Sequence, residues 1–281
     1  MEQVWIGTPS PADVPALKRL FSVCFGDPQP VIDSFFALVF RPEETVVLKS
    51  GGQLAAAGYC PSGLTLQTGG TSVPCGYLYA MGTFPAYRGQ GFGRRVAGAL
   101  QDLCRSRGEA LLVLPAEPVL YPWYREATGS APLTHAAERA PVSGSDSPSS
   151  LSADVVDAVQ YQRLREALLD NRPHVSLPTS LWDWQQALCR LSGGGLFRLG
   201  NGDSCAVCER DGDTVLVREL LCPETNVPAV LAALRRILPA KHFRLRLPVW
   251  LAEPEDTVRD FVCGPPELSS DTGIWFGPVF D

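Results

Sequence analysis

Apolar and polar residues follow two different periods along this chain, and the period changes several times. Residues 11–21 have apolar side chains at helical spacing, with Ser10 placed to cap the helix, and residues 30–40 repeat the pattern. Residues 46–49 and 54–59 are short β-favouring runs joined by a Ser-Gly-Gly turn, which is typical of a hairpin. The pattern predicts two helices followed by a meander of strands.

A glycine-rich turn lies between the next extended segment and the next helix. Residues 77–84 are aromatic and β-favouring, and apolar residues recur at helical spacing over 96–104. The turn between them reads Arg88-Gly89-Gln90-Gly91-Phe92-Gly93. The first amide groups of a helix lack acceptors and carry partial positive charge, and glycine lets an oxygen approach them closely. The turn therefore predicts binding of a phosphate-bearing anion, with Arg94 and Arg95 adding positive charge.

Three known phosphate-binding turns compete for this segment. A dinucleotide turn needs Gly-x-Gly-x-x-Gly, whereas the glycines here stand at every second position. A P-loop needs a lysine directly after its last glycine, and the lysines of this chain are Lys18, Lys49 and Lys241. The third candidate is the acetyl-CoA turn of the GNAT acetyltransferases.

Two separate pieces of the chain resemble the GNAT superfamily. Residues 84–93 are similar to its strand-to-helix signature, in which a proline turn leads into Arg/Gln-x-x-Gly-x-Gly/Ala. Residues 110–114 read as a buried strand, and residues 115–125 resemble the Leu-x-Pro-Ala…Phe-Tyr segment that follows it in the family. The chain departs from the family after Tyr124, where Ala-Thr-Gly-Ser replaces the usual Leu-Gly-Phe/Tyr ending.

The resemblance implies an α/β (α+β, mixed-sheet) fold and direct transfer of an acetyl group from acetyl-CoA to the primary amine of a small acceptor. The end of the strand would pair with the pantetheine arm, a backbone N–H near Thr83 would polarise the thioester, and the turn would hold the pyrophosphate. The implied cofactor-binding residues are Gly82, Thr83, Phe84, Arg88, Gly89, Gln90, Gly91, Phe92, Gly93 and Arg94. No metal is implied.

Three residues are the candidates for proton transfer. Tyr124 stands where many relatives have a tyrosine near the sulfur, so it would protonate the departing thiolate, although it could equally pack with its aromatic neighbours. Glu117 is a candidate general base, with a solvated loop carboxylate as the alternative. The terminal carboxylate of Asp281 is a third candidate, because the chain end reaches the active site in tandem relatives.

The second half of the chain predicts another α/β domain. Residues 141–150 are small, polar and proline-containing, so we place a boundary there, giving domains 1–142 and 143–281. Strands at 204–209 and 214–220 flank Asp-Gly, a hairpin dipeptide, and a last strand is expected at 273–276. This element order repeats the first half without its glycine turn. It is similar to the degenerate second GNAT-like domain of enhanced-intracellular-survival type acetyltransferases, and that resemblance implies a bacterial protein.

Composition excludes several other classes. A net charge of −6 and a pI near 5.2 argue against nucleic-acid binding, and no apolar run is long enough for a membrane. The start lacks a secretory pattern and the nine cysteines are scattered, which predicts a cytoplasmic protein with reduced thiols. Cys205-x-x-Cys208 has metal-ligand spacing, but strand alternation would put the two thiols on opposite faces.

Two other functions stay open. A GNAT fold could persist as a CoA-binding or regulatory module without transferase activity, because no base stands out beside the turn. A phosphate-binding protein of unrelated fold would also use such a turn. The sequence does not indicate the acceptor, since loops shape acceptor pockets.

Overall fold

The computed structural model describes residues 3–143, 150–268 and 273–280, and it begins with a strand that was not predicted, followed by the predicted helices and meander. Strand β1 comes first, then two helices, four strands, a helix, a strand and a helix. In order these are β1 (Val4–Gly7), α1 (Val14–Phe25), α2 (Gln29–Leu38), β2 (Thr45–Ser50), β3 (Gln53–Tyr59), β4 (Leu64–Thr68), β5 (Thr71–Thr83), α3 (Phe92–Ser106), β6 (Ala110–Val113) and α4 (Tyr121–Thr128). Helix α3 buries Val96, Leu100 and Cys104, which recur every fourth residue.

Strand β5 is the longest strand and pairs with three other strands of the first sheet. It pairs antiparallel with β3 and β4 on one side and parallel with β6 on the other. The parallel register runs from Cys75 opposite Ala110 to Leu78 opposite Val113, where β6 ends. Strand β5 continues to Thr83, so its last five residues extend beyond the end of β6. The sheet splays open there.

The elements after α4 build a second sheet and add three short strands to the first. Its elements are β7 (Ala131–Pro132), β8 (His135–Ser143), β9 (Ala153–Val155), α5 (Ala158–Leu169), β10 (His174–Ser176), α6 (Thr179–Ser192), β11 (Gly195–Leu199), β12 (Ser204–Asp211), β13 (Thr214–Leu221), α7 (Val227–Ile237), β14 (His242–Pro248), β15 (Thr257–Asp260) and β16 (Cys263–Gly264). The second sheet has the order β15-β8-β14-β13-β12-β11-β9. Gly212 has a φ of +56°, as the predicted Asp-Gly hairpin turn requires.

The two sheets exchange strands. The first has the order β1-β2-β3-β5-β6-β16-β7, with β10 joined to it through β4. Strand β8, which begins at His135 and crosses the expected boundary at 142/143, lies in the second sheet, whereas β16, long after the boundary, lies in the first. The mixed sheets confirm the predicted fold class. The division into 1–142 and 143–281 stays a prediction, because strands from both sides contribute to both sheets.

The expected last strand at 273–276 is wrong in its extent. Trp275 makes a single bridge to His174, and the rest of residues 273–280 follows an irregular course against the core. The reason lies in side-chain contacts. Trp275 donates its indole N–H to Glu219 at 2.6 Å, and Arg165 donates to the Gly277 carbonyl at 2.6 Å. Anchors of this kind replace a ladder of backbone hydrogen bonds.

A buried ion pair joins these contacts to the interior. Arg165 and Glu219 are both fully buried, and the guanidinium donates to the carboxylate at 3.0 Å. The Tyr161 hydroxyl donates to the same carboxylate at 3.0 Å. Buried charges persist only when paired and hydrogen-bonded, so this group fixes how α5, β13 and the C-terminal segment pack. None of the helices in the described ranges has the length and hydrophobicity needed to span a lipid bilayer.

Candidate active site

The glycine-rich turn lies on the surface, directly before α3. Gly89 and Gly91 have φ values of +78° and +75°, which a residue with a side chain adopts only under strain. Gly91 is the N-cap residue of α3, and the side chain of Phe92 is buried beneath the turn. Residues 88–91 of the turn are exposed and lead directly into the first turn of α3, in the order of elements that the sequence predicts.

The arginine side chains of the turn make contacts within the protein. Arg88 donates from Nε to the backbone carbonyl of Thr83 at 3.1 Å, which fastens the turn to the end of β5. Arg94 pairs with Glu126 of α4 at 2.9 Å, and both side chains are exposed. Their guanidinium groups remain at the surface beside the turn.

The end of β5 contains a β-bulge. Ala57 pairs with Gly82 and Tyr59 with Tyr79, so two residues of β5 oppose one residue of β3. One of these two, Ala80, has a φ of +46°. Bulges break the regular direction of backbone groups and are frequent beside active sites. A Cβ on Gly82 would lie 2.9 Å from the Cys24 sulfur, so glycine is required where β5 crosses α1.

A cavity of about 710 Å³ opens at the splay between β5 and β6. Its walls come from both halves of the chain: the end of α1, the middle of β5, α4, α6, strands β12 and β13, and the C-terminal segment. Trp184 of α6 and Phe280 both line it. The second half thus contributes to the cavity.

Tyr124 lines this cavity and also packs on its neighbour. Its side chain is 9% exposed, and its ring meets that of Trp123 edge-on with centroids 4.9 Å apart. Burial raises the pKa of the Tyr124 phenol to about 12, so the hydroxyl keeps its proton at neutral pH. A Cβ on Gly93 would lie 3.7 Å from the Trp123 ring, so the start of α3 contacts the residue that precedes Tyr124 in α4.

The sequence predicts two candidate carboxylates for proton transfer, those of Glu117 and Asp281. Glu117 is exposed, and it is not among the described residues that line the cavity. Asp281 lies outside the described residues, although Val279 and Phe280 just before it line the cavity. The roles of both carboxylates stay predictions.

Two acidic residues that sequence reasoning missed line the cavity. Asp27, in the connection between α1 and α2, is half-buried, and desolvation raises its pKa. No basic side chain of the described residues pairs with it. Glu209 accepts hydrogen bonds from Arg218 at 3.0 Å and Gln185 at 2.8 Å, so its charge is balanced. The available signal was an aspartate in a Gly-Asp-Pro connection between helices, where loops often carry function.

The cysteines contribute packing. Cys205 and Cys208 are fully buried, and they face two different hydrophobic clusters on opposite sides of the second sheet. Within the ranges that the structure describes, no three histidine, cysteine or acidic side chains group in a way that could hold a metal ion.

Comparison with known proteins identifies the first half. Residues 6–127 match the family model of an acetyltransferase (GNAT) domain. This segment is a GNAT domain. It contains the splayed strand, the glycine turn and Tyr124, so the GNAT resemblance expected from the sequence is confirmed. None of the curated proteins matches the chain.

Solved structures extend the similarity beyond the GNAT domain. A GCN5-related N-acetyltransferase from Kribbella flavida is 16% identical with a TM-score of 0.69, covering 94% of this chain and 71% of its own. The corresponding protein from Anabaena variabilis is 14% identical with a TM-score of 0.71, covering 93% and 72%. Eis1 from Mycobacterium abscessus is 15% identical with a TM-score of 0.62, covering 93% and 73%. Both halves therefore share their fold with these proteins.

Proposed function

We propose that this protein is an N-acetyltransferase that moves an acetyl group from acetyl-CoA to a primary amine. The observation that carries the proposal is a juxtaposition. The exposed turn at the start of α3 adjoins the open end of β5, and the cavity at that end holds a protonated phenol and a half-buried carboxylate. An anion site next to an acid and a base is what thioester aminolysis needs.

In this proposal, acetyl-CoA binds along the splay. The amides of Gly89–Gly93 hold the pyrophosphate at the start of α3, where the helix dipole favours negative charge. The backbone of residues 82–84 pairs with the pantetheine arm as an added strand would. Arg88 and Arg94 stand at the surface of the turn, where they neutralise phosphate charge.

The chemical step needs one base and one acid. Asp27 accepts a proton from the substrate ammonium, and the free amine nitrogen attacks the thioester carbonyl, forming the C–N bond. The C–S bond then breaks, and the phenol of Tyr124 gives its proton to the departing thiolate, while the new amide loses its second proton to solvent. Asp27 serves better than Glu117 because it lines the cavity, and desolvation makes its carboxylate more basic.

We also infer that residues 143–281 descend from a second GNAT-like domain that has lost its glycine turn. The second sheet, with β13 and β14 parallel and α7 connecting them, supports that origin. Its contribution to the site is the wall formed by α6, β12, β13 and the C-terminal segment.

Calorimetric titration with CoA and an assay of CoA release against a panel of primary amines test the proposal. We expect CoA to bind and at least one amine to be acetylated. CoA binding with no turnover would favour the alternative of a non-catalytic CoA-binding module. Failure to bind CoA, together with thermal stabilisation by nucleotides or sugar phosphates, would favour an unrelated phosphate-binding function.

A further inference from the structure

Few charged side chains line the cavity. Among the described residues, its acidic and basic side chains are Asp27, Glu209 and Arg218. Glu209 and Arg218 are paired at 3.0 Å and cancel. Among the described lining residues, the Asp27 carboxylate therefore remains to meet a cation in a cavity of about 710 Å³. A second ammonium group entering this space would lose its hydration without a described partner.

The mouth of the cavity is lined by apolar side chains that water contacts. Phe25 is 44% exposed, Leu120 is 37% exposed and Leu191 is 50% exposed. They belong to three separate segments, namely the end of α1, the turn before α4 and the last turn of α6. Large apolar residues that converge from different elements on one opening indicate a surface that an apolar ligand covers.

The inner wall is aromatic. The rings of Trp184 and Phe280 stack with centroids 4.6 Å apart, and Tyr79 meets the Trp184 ring edge-on at 5.3 Å. All three residues line the cavity; Tyr79 is partly exposed, and Trp184 and Phe280 are almost wholly buried behind it, so the inner wall is built of packed aromatic side chains. Apolar walls with a few placed polar groups are typical of sites for small molecules with a large apolar part.

We propose that the acceptor is an amine with a large apolar, aromatic body and a single ammonium group, rather than a small amine or a polycation. The ammonium group meets Asp27, and the apolar body lies against Trp184 and Phe280 and passes Leu191 at the mouth. This inference rests on the proposed acetyltransferase function and names the substrate class of that site.

A different apolar occupant is a long acyl chain carried by CoA. It would fill the same walls from the thioester side and would make the enzyme a long-chain acyltransferase. Kinetics can distinguish the two occupants. An apolar amine predicts selectivity among amines, whereas a long acyl chain predicts selectivity among acyl-CoA donors.

The test is steady-state kinetics with acetyl-CoA and three amines. Phenylbutylamine has the aromatic body, n-butylamine has the same chain without the ring, and spermidine is a polycation. We expect kcat/KM for phenylbutylamine to exceed the values for n-butylamine and spermidine by roughly tenfold or more. Extra apolar contact in an enzyme pocket gives discrimination on this scale. A parallel series replaces acetyl-CoA by hexanoyl-CoA with n-butylamine, and we expect no gain.

Two variants assign the effect to the cavity mouth. Leu191→Asn is expected to raise KM for phenylbutylamine several-fold more than it raises KM for n-butylamine. Val159→Asn is the matched control, because Val159 is 43% exposed on α5 and is not among the described cavity-lining residues. Val159→Asn should leave the kinetic constants for both amines unchanged.

Each outcome decides the inference. Equal rates for the three amines, or a preference for spermidine, would overturn the substrate class while leaving the acetyltransferase function intact. A gain with hexanoyl-CoA and none with phenylbutylamine would assign the apolar walls to the acyl donor and overturn it too. Absence of transfer to every amine despite CoA binding would overturn the proposed function, and the inference with it.

Discussion

Trp184 and Phe280 stack on each other with ring centroids 4.6 Å apart and their planes inclined by 25°. One belongs to α6 and the other lies near the end of the chain, ninety-six positions later. Because both line the cavity beside β5, the stack brings the C-terminal segment and the second half of the chain into the wall of the candidate site.

Loss of this stack should affect both stability and substrate binding. Phe280→Ala removes a nearly buried aromatic ring, so we expect the free energy of unfolding, measured in urea, to fall by about 3 kcal/mol. KM for the amine should rise while CoA binding is retained. Phe280→Leu, which keeps most of the apolar volume, should show a smaller loss. Unchanged stability and KM in Phe280→Ala would remove the C-terminal segment from the site.

The buried ion pair gives a second prediction. Glu219→Gln removes the fully buried carboxylate partner of Arg165 and leaves the guanidinium with the partly exposed Glu166 at 2.8 Å, so we expect a loss of about 3 kcal/mol in the free energy of unfolding. Glu126→Gln is the comparison, since the pair of Arg94 and Glu126 is solvent-exposed and should contribute little. Equal stabilities of the two variants in denaturant titrations would contradict the role given to the buried pair.

Alanine substitutions at two glycines of α3, one at its N-cap and one in its middle, should change the stability of the protein in opposite directions. Gly91→Ala places a side chain at a φ of +75°, so we expect a loss of about 1 kcal/mol and weaker CoA binding. A Cβ on Gly98, in the middle of α3, meets nothing within 4 Å. Gly98→Ala should therefore stabilise the protein by about 0.5–1 kcal/mol and leave CoA affinity unchanged. Thermal unfolding and calorimetry measure both effects, and the same CoA affinity in both variants would argue against the turn as the pyrophosphate site.

Tyr124→Phe removes the proposed acid without removing the ring. We expect kcat to fall roughly 100-fold with little change in amine KM. Tyr121→Phe is a matched control in the same helix, because the Tyr121 hydroxyl donates a hydrogen bond to the Asp260 carbonyl at 2.6 Å. Removing that hydroxyl should lower the free energy of unfolding by about 1 kcal/mol without lowering kcat. Since the Tyr124 pKa is raised to about 12, wild-type kcat should not decline through phenol ionisation up to pH 10. Full activity of Tyr124→Phe would assign this tyrosine to packing alone.

Asp27 links activity and stability to pH. Desolvation raises its pKa in the folded state above the unfolded value, so ionisation of the carboxylate disfavours folding once pH exceeds the unfolded pKa. Asp27→Asn should therefore raise the melting temperature at pH 7, and the difference should shrink as pH falls toward 4. The same variant should lose most amine acetylation, because the base is gone.

Glu117→Gln separates the two carboxylates proposed as base. Glu117 is exposed, and its neutralisation should leave kcat/KM near the wild-type value. A large loss of activity in Glu117→Gln with none in Asp27→Asn would restore Glu117 as the base. Acetylation assays over pH 5 to 9 on both variants give the comparison.

The periodicity of the first half predicted α1, α2, α3 and the strands between them, but it did not predict β1. Residues around the glycine turn carry strong local signals, since only glycine tolerates the positive φ at Gly89 and Gly91, and α3 repeats buried residues every fourth position. The prediction of a strand at 273–276 failed for a physical reason. Apolar and aromatic residues there are held by Arg165 and Glu219, which stand more than fifty positions away.

Local sequence thus determined the strand, the turn, the helix and Tyr124, because dihedral preferences and short-range periodicity act over a few residues. Only the tertiary structure decided what surrounds Tyr124. Asp27, Glu209 and Phe280 are distant from it in sequence, and they meet at one cavity because the second sheet and the C-terminal segment pack across the splay. Desolvation, which raises the pKa values of Asp27 and Tyr124, exists only once that packing has formed.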